Sequence, residues 1–310
     1  MKLAAFDVGT NTVLMLAVES DGVGTPRVLA DLSRITRLGR GVDRSGKLDP
    51  ESAARTLDVI AGFAREARAL GVERIVGVAT AALRDARDGG EFIAEVRRRT
   101  GVALDLITGD AEAQLSYLAV RRGLSMEPHE RLLIVDIGGG STELIRAGSG
   151  RELSLQSAQI GSVRLTERFV RSDPPAQAEL EAIARAVDAA LEGLGWDFTP
   201  DRLVGIAGTA TTICAVALRL ATYDHAIVHG RVLSRDDVRA TLHRFISLPL
   251  NERKSLAGLH EARADVIIAG TIILDRVMER FNAKRVTVSD QGVRWGLVWR
   301  ELEAAQPPVS

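Results

Sequence analysis

Two short stretches of this chain follow one plan. "FDVGTNT" at 6–12 and "VDIGGGST" at 135–142 each run from apolar residues through an aspartate and an aliphatic residue into glycine and small polar residues. The segments around them repeat as well. "KLAAFDVG", "TVLMLAVES" and "RVLADLSRITRL" read as three strands, and so do "RLLIVDIGGGST", "ELIRAG" and "ELSLQSAQIG". Each triplet is followed by helices and a short buried strand, "RIVGVAT" or "RLVGIAG". This is the pattern of an internal duplication. It predicts an α/β fold of two similar domains, 1–122 and 123–290, each ending its first strand in an Asp–x–Gly turn and facing the other across a central cleft. A length of 310 residues suits two domains.

The helical segments are read from apolar spacing. Ala53, Leu57, Ile60 and Ala64 recur at helical intervals between Pro50 and Leu70, and Gly71 stops the run. Further helices are expected up to about Arg99, from Asp110, over 174–195 and 209–220, and through most of the last third.

The second turn is the more informative. Three consecutive glycines, Gly138, Gly139 and Gly140, lie between Asp136 and Glu143. One reading is a tight hairpin that glycine allows to turn. One or two glycines suffice for that. Three, followed by Ser141 and Thr142, offer backbone N–H groups that no side chain blocks, which suits a phosphate. Asp136 and Glu143 would then hold a hard cation beside it.

Composition narrows the alternatives. The formal net charge of −1 is far from the basic excess of a duplex-binding protein. No apolar run approaches the roughly 18–20 residues of a membrane span. "MKLAAFDVGTN" reaches an aspartate too soon for a signal peptide, and one cysteine, Cys214, suits a reducing cytoplasm. Cys214 reads as a small core residue. No nucleic-acid or membrane partner is expected.

Seven motifs in order then carry a resemblance: "DVGTNT", "ATAALRDA", "TGDAEAQLSYLAV", "DIGGGSTE", "GSVRLTERF", "GTATT" and "SDQGVRWGL". Over nearly its whole length the chain resembles the Ppx/GppA family, the exopolyphosphatases and guanosine pentaphosphate phosphohydrolases of the actin-like (ribonuclease H-like, ASKHA) superfamily. The resemblance implies two actin-like domains, with the terminal helix at about 291–310 returning to the first. It also implies magnesium-dependent, or other divalent-dependent, hydrolysis of a terminal phosphoanhydride. Longer relatives carry a helical extension. The short form here implies weak processivity and activity on short chains, and a homodimer is compatible with it.

Mapped residue by residue, the resemblance makes Glu112 the group that orients the attacking water, although the family's paired acids are here Ala111 and Glu112. An acid in a first helical turn could otherwise only complement the dipole, and Asp110 could be its cap. Asp7, Asp136 and Glu143 become the metal ligands. Arg84 becomes the cation in the cleft. Thr10, Asn11, Gly138, Gly139, Gly140, Ser141 and Thr142 bind phosphate, and Gly208 and Thr209, near Thr211, hold a second one at a helix start. Capping is the alternative for Thr209. Arg34, Arg37 and Arg40 would line the rim. "RRR" at 97–99 reads as solvated surface, and His225 and His229 lack a partner for zinc.

The expected function is release of the terminal phosphate of inorganic polyphosphate, of guanosine pentaphosphate, or of both. Two other classes stand beside it: a non-catalytic regulator that binds these ligands, and an actin-like phosphotransferase such as a sugar or acetate kinase.

Overall fold

A computed structural model describes residues 1–22, 24–124, 126–127, 129–148 and 153–305. Val23 in the first loop, Glu152 at the start of the expected third strand of the second half, and residues 306–310 of the expected terminal helix lie outside the described residues. The chain divides into two compact units, Met1–Arg122 with Gly292–Ser310, and Gly123–Gln291.

In the first unit, β1 (Lys2–Val8), β2 (Thr12–Glu19) and β3 (Arg27–Ile35) form an antiparallel meander. After α1 (Val42–Ser45) and α2 (Pro50–Ala69), β4 (Arg74–Ala79) joins β1 in parallel. The helices α3 (Ala81–Asp85) and α4 (Gly89–Thr100), the two-residue strand β5 (Asp105–Leu106) and α5 (Gly109–Gly123) follow. The strand order is β3-β2-β1-β4-β5. The expected strand "ALDLI" is thus only two residues long, and the helix expected before it is two helices.

The second unit repeats the plan. β6 (Leu132–Ile137), β7 (Thr142–Ala147) and β8 (Leu153–Ala158) form the meander, and α6 (Ser162–Phe169) and α7 (Gln177–Glu192) precede β9 (Arg202–Ile206), parallel to β6. Next come α8 (Ala207–Ala217), α9 (His225–Val228), β10 (Val232–Ser234), α10 (Arg235–Ile246), α11 (Leu250–Arg253), a 3-10 turn at Glu261–Arg263, α12 (Ile267–Arg280) and β11 (Arg285–Val288). The order is β10-β11-β9-β6-β7-β8, so the five-strand core matches that of the first unit, with β10 added at the edge. The last helix, α13 (Val293–Ala304), belongs to the first unit. The fold is a two-domain actin-like α/β architecture. No described helix is long and apolar enough to cross a membrane.

The period of two along the central strands decides what each face meets. Ala4, Phe6 and Val8 of β1 pack in one core with Ile60, Phe63, Phe92 and Val96 of α2 and α4. Leu3 and Ala5 point the other way, into a core with Leu115 and Ala119 of α5 and Leu297 and Val298 of α13. Asp7 shares the parity of Leu3 and Ala5, so its carboxylate is delivered to the α13 face. The same alternation in β6 sends Leu133, Val135 and Ile137 into the core of the second unit and leaves Asp136 on the opposite face. Local signals set the helix starts. Asp49 caps α2 by accepting from the Ser52 amide at 3.0 Å, with Pro50 at the first helical position.

Candidate active site

In the first unit the β1–β2 turn is closed by the Gly9 amide donating to the Thr12 carbonyl at 3.0 Å. The carbonyls of Thr10 and Asn11 are taken by the next loop: Gly39 N–H donates to Thr10 at 2.8 Å, and Thr36 and Arg37 N–H donate to Asn11 at 2.9 and 3.0 Å. The Thr10 and Asn11 amides make no hydrogen bond among the described residues. A trans peptide points its N–H opposite to its C=O, so the Asn11 amide faces away from the loop that holds the Thr10 carbonyl.

Asp7 precedes this turn and is half-buried. Burial pushes its carboxyl up to about 6, against the opposing pull of the Arg294 guanidinium. Arg294, in the first turn of α13, donates to Asp31 of β3 at 2.9 Å, and its Nε has no partner among the described residues. Asp31 pairs with Leu16, which places it on the same face as Asp7. Neither Arg294 nor Asp31 was expected as a site residue. The available signal was an arginine in "VRWGLVW", a helix that is otherwise apolar at its start.

Arg84 and Glu112 come together. Arg84 Nη1 donates to the Ile107 carbonyl at 2.8 Å and to Glu112 Oε2 at 3.2 Å. Their side chains keep 30% and 21% of their surface exposed, so both remain open to solvent or a ligand. Glu112 sits in the first turn of α5, its amide bonded to the Thr108 carbonyl at 3.0 Å. The capping hydroxyl is that of Thr108, which accepts from Ala111 N–H at 3.2 Å, so the cap is not Asp110.

The glycine turn of the second unit is built by its contacts with α6. Gly138 N–H closes it on the Ser141 carbonyl at 2.9 Å. The Gly138 carbonyl accepts from Ser162 N–H at 2.9 Å and from its hydroxyl at 3.1 Å. The Gly139 carbonyl accepts from the Val163 and Arg164 amides, both at 3.0 Å, and the Gly140 carbonyl from Arg164 Nε at 2.7 Å. With three successive carbonyls turned onto α6, the amides of Gly139, Gly140 and Ser141 point the other way. None of the three amides makes a hydrogen bond among the described residues. Such a run of convergent N–H groups is an anion nest.

None of the three has a positive φ, and close approach to α6 is evident at Gly139. A Cβ on Gly139 would meet Val163 Cγ2 at 3.2 Å, and one on Gly161 would lie 2.2 Å from the Gly139 carbonyl oxygen.

Asp136 and Glu143 are direct cross-strand partners, as are Glu143 and Ser157. Two carboxylates so opposed repel one another unless something positive lies near. Glu143 Oε1 accepts from the Ser141 hydroxyl at 2.6 Å and from Ser157 at 2.8 Å, which aims the carboxylate. A pair of hard oxygen donors at the mouth of an anion nest fits a divalent cation that also binds phosphate oxygens.

Other expected phosphate ligands are engaged elsewhere. Thr142 is fully buried, and its hydroxyl donates to the Ile160 carbonyl, so it braces the turn. Thr209 is 3% exposed and donates to the Ile137 carbonyl at 3.0 Å, tying α8 to the end of β6. Thr211 turns its hydroxyl back to the Ala207 carbonyl at 3.0 Å. All three hydroxyls are turned inward and hydrogen-bonded within the unit; the parity and helix phase that turn them inward override their polar type. Gly208 is covered by the Arg263 guanidinium, which a Cβ would meet at 2.1 Å. Burial lowers the pKa of Arg263, with Tyr223 opposing.

The remaining candidates have structural partners. His225 and Tyr223 both bond Asp290, and His229 bonds the Gly123 carbonyl at 2.9 Å and the Asp290 amide at 3.3 Å. Arg98 forks onto Glu95 at 2.8 and 2.6 Å, and Arg99 reaches Asp58 at 3.4 Å. Cys214 is fully buried, and burial pushes its thiol up to about 11, with Arg231 opposing.

Paired actin-like folds with a glycine nest and carboxylates at strand ends define a class of phosphate-handling proteins. The comparisons identify the branch. The sequence pattern of the Ppx/GppA phosphatase family matches residues 17–305, and the chain belongs to that family of hydrolases. It is 36% identical to Exopolyphosphatase 2 of Mycobacterium tuberculosis, over 96% of this chain and 97% of the relative. The crystal structure of the Aquifex aeolicus Ppx/GppA family member is 32% identical and superposes with a TM-score of 0.84, covering 99% of both chains. A Cytophaga hutchinsonii exopolyphosphatase superposes with a TM-score of 0.88 at 25% identity, again over 99% of both.

Proposed function

We propose that this protein is an exopolyphosphatase that removes the terminal phosphate of inorganic polyphosphate, with guanosine pentaphosphate as a second substrate offering the same terminal anhydride. The observation that carries the reading is the nest of Gly139, Gly140 and Ser141 amides, beside two carboxylates aimed by the sheet. The similarity to Exopolyphosphatase 2 supports polyphosphate as the substrate class.

In this reading the Gly139–Ser141 amides, and those of Thr10 and Asn11, bind oxygens of the terminal phosphoryl group. Asp136 and Glu143, with Asp7, would hold a divalent cation, which when bound neutralises phosphate charge. Glu112 orients a water in line with the anhydride oxygen and takes its proton as the water oxygen bonds to phosphorus. The bridging P–O bond breaks, and its electron pair leaves with the shortened chain. Arg84 holds Glu112 in place and offers a guanidinium to phosphoryl oxygens.

The test is release of free phosphate by purified protein with magnesium, from polyphosphate and from guanosine pentaphosphate separately. Release from polyphosphate that chelation abolishes is expected. Tight binding without release would instead identify a regulator, and transfer of phosphate to an acceptor a phosphotransferase.

A further inference from the structure

Glu143 lies just past the glycine turn and faces two serines. Ser141 stands two residues before it, and Ser157 is its direct partner on β8. That pairing is held along the whole ladder. The register of β7 on β8 runs from Thr142 opposite Ala158 to Ala147 opposite Leu153, and a slip of one residue would turn buried Ala158 out of the core. Thr142 secures the same end, its hydroxyl donating to the Ile160 carbonyl.

Both serines donate to one oxygen. Glu143 Oε1 accepts from the Ser141 hydroxyl at 2.6 Å and from the Ser157 hydroxyl at 2.8 Å, whereas Oε2 accepts no hydrogen bond among the described residues. A glutamate side chain is otherwise loose about three torsions, and its two oxygens are equivalent acceptors. Two donors converging on Oε1 fix the carboxylate and make the oxygens unequal. Oε2 keeps its lone pairs, in a residue whose other cross-strand partner is Asp136. The two donors differ in duty. Ser141 also places an amide in the nest, so the turn itself sets its position. Ser157 is exposed on β8, outside the turn, where a serine would ordinarily give its proton to water; here it donates to Glu143.

We propose that Ser157 is a positioning residue that fixes the Glu143 carboxylate with Oε2 as the oxygen offered to the divalent cation, and so sets the affinity of the site for that cation. The inference rests on the cation reading above. A ligand whose torsions are already fixed loses little freedom when it binds a metal, and removing such a supporting hydrogen bond typically costs about 10–100-fold in metal affinity.

The test measures Mn²⁺ binding to the intact, substrate-free protein by isothermal titration calorimetry, Mn²⁺ being an oxygen-seeking probe. Wild type is compared with Ser157→Ala, Ser157→Val and Ser157→Thr. Valine and threonine share one shape and both suit a strand, so their difference reports the hydroxyl alone even where alanine loosens the edge. Ser157→Ala and Ser157→Val should raise the Kd for Mn²⁺ about tenfold, and Ser157→Thr should stay within about threefold of wild type. Ser154→Ala removes a hydroxyl from the opposite face of β8 and should leave the Kd unchanged. In phosphate release, the Mn²⁺ concentration for half-maximal rate should rise by the same factor, while the rate at saturating Mn²⁺ falls by less than about twofold. Equal Kd values for the folded valine and threonine variants overturn the assignment. So does a loss of rate that saturating Mn²⁺ does not restore. A wild type that binds no Mn²⁺ and releases phosphate in excess chelator refutes the cation reading itself and this inference with it.

Discussion

At the scale of single residues, Glu112 separates catalysis from binding. Glu112→Gln keeps shape and hydrogen bonding to Arg84 but removes the base. It should cut turnover by about 10²–10⁴-fold with little change in substrate affinity. Near wild-type hydrolysis by the folded variant would place the base elsewhere. Asp136→Asn should raise the magnesium concentration needed for half-maximal phosphate release, because one of two opposed carboxylates is lost. Full activity in excess chelator would remove the metal from the scheme. Cys214, buried and with its thiol pushed up to about 11, should resist alkylation at neutral pH until the protein unfolds. Rapid labelling of native protein, followed by mass, would contradict that placement.

At the scale of elements, the glycine turn depends on α6 as much as on its own sequence. Gly161→Ala places a Cβ 2.2 Å from the Gly139 carbonyl, a backbone atom that cannot swing aside. The three carbonyl–α6 contacts should open and the amides diverge, so phosphate release should fall at least about tenfold. Gly90→Ala on α4, where a Cβ meets nothing within 4 Å, is the control and should leave activity intact. Equal activity of both variants would detach the nest from catalysis. The starts of β6 and β9 are joined by Arg131, which forks onto Asp201 at 3.0 and 2.6 Å. These bonds, with one from the Arg131 amide, pull the Asp201 carboxyl from 3.8 down to about 2. A depressed carboxylate stabilises the fold above its unfolded pKa and loses that contribution as pH falls through the folded one. The melting temperatures of wild type and Asp201→Asn should therefore differ modestly above pH 4 and converge toward pH 2, modestly because both side chains are over 40% exposed.

At the scale of the whole molecule, the first unit is assembled from both ends of the chain. Residues 1–122 lack α13, whose Trp295, Leu297, Val298, Trp299 and Leu302 are buried on one face of the sheet. Burying such side chains contributes about 1.5–3 kcal/mol each, so their loss rivals the roughly 5–15 kcal/mol that holds a domain together. The isolated 1–122 fragment should fail to show a cooperative melt by circular dichroism. A cooperative transition would mean that the sheet is stable with that face bare.

Much of this organisation could be read from local pattern. The two Asp–x–Gly turns, the strand triplets around them and the capped start of α2 follow from periodicity and turn chemistry, which act between near neighbours. That Glu143 opposes Asp136 was implicit in a short hairpin. The inward turn of Thr142 and Thr209 was not, because a threonine's type does not say which face of a strand or helix the core will claim. Nor did the composition of the turn show that Gly139 would lie in close contact with α6, or that Arg37 would take a left-handed backbone between buried Thr36 and Leu38. The partnership of Arg294 with Asp31 joins residues 263 positions apart. Such pairs exist only after distant strands and helices have packed: the sequence by itself determined the repeated elements and the chemistry of their turns, and tertiary packing decided which polar groups were buried and which were left facing outward.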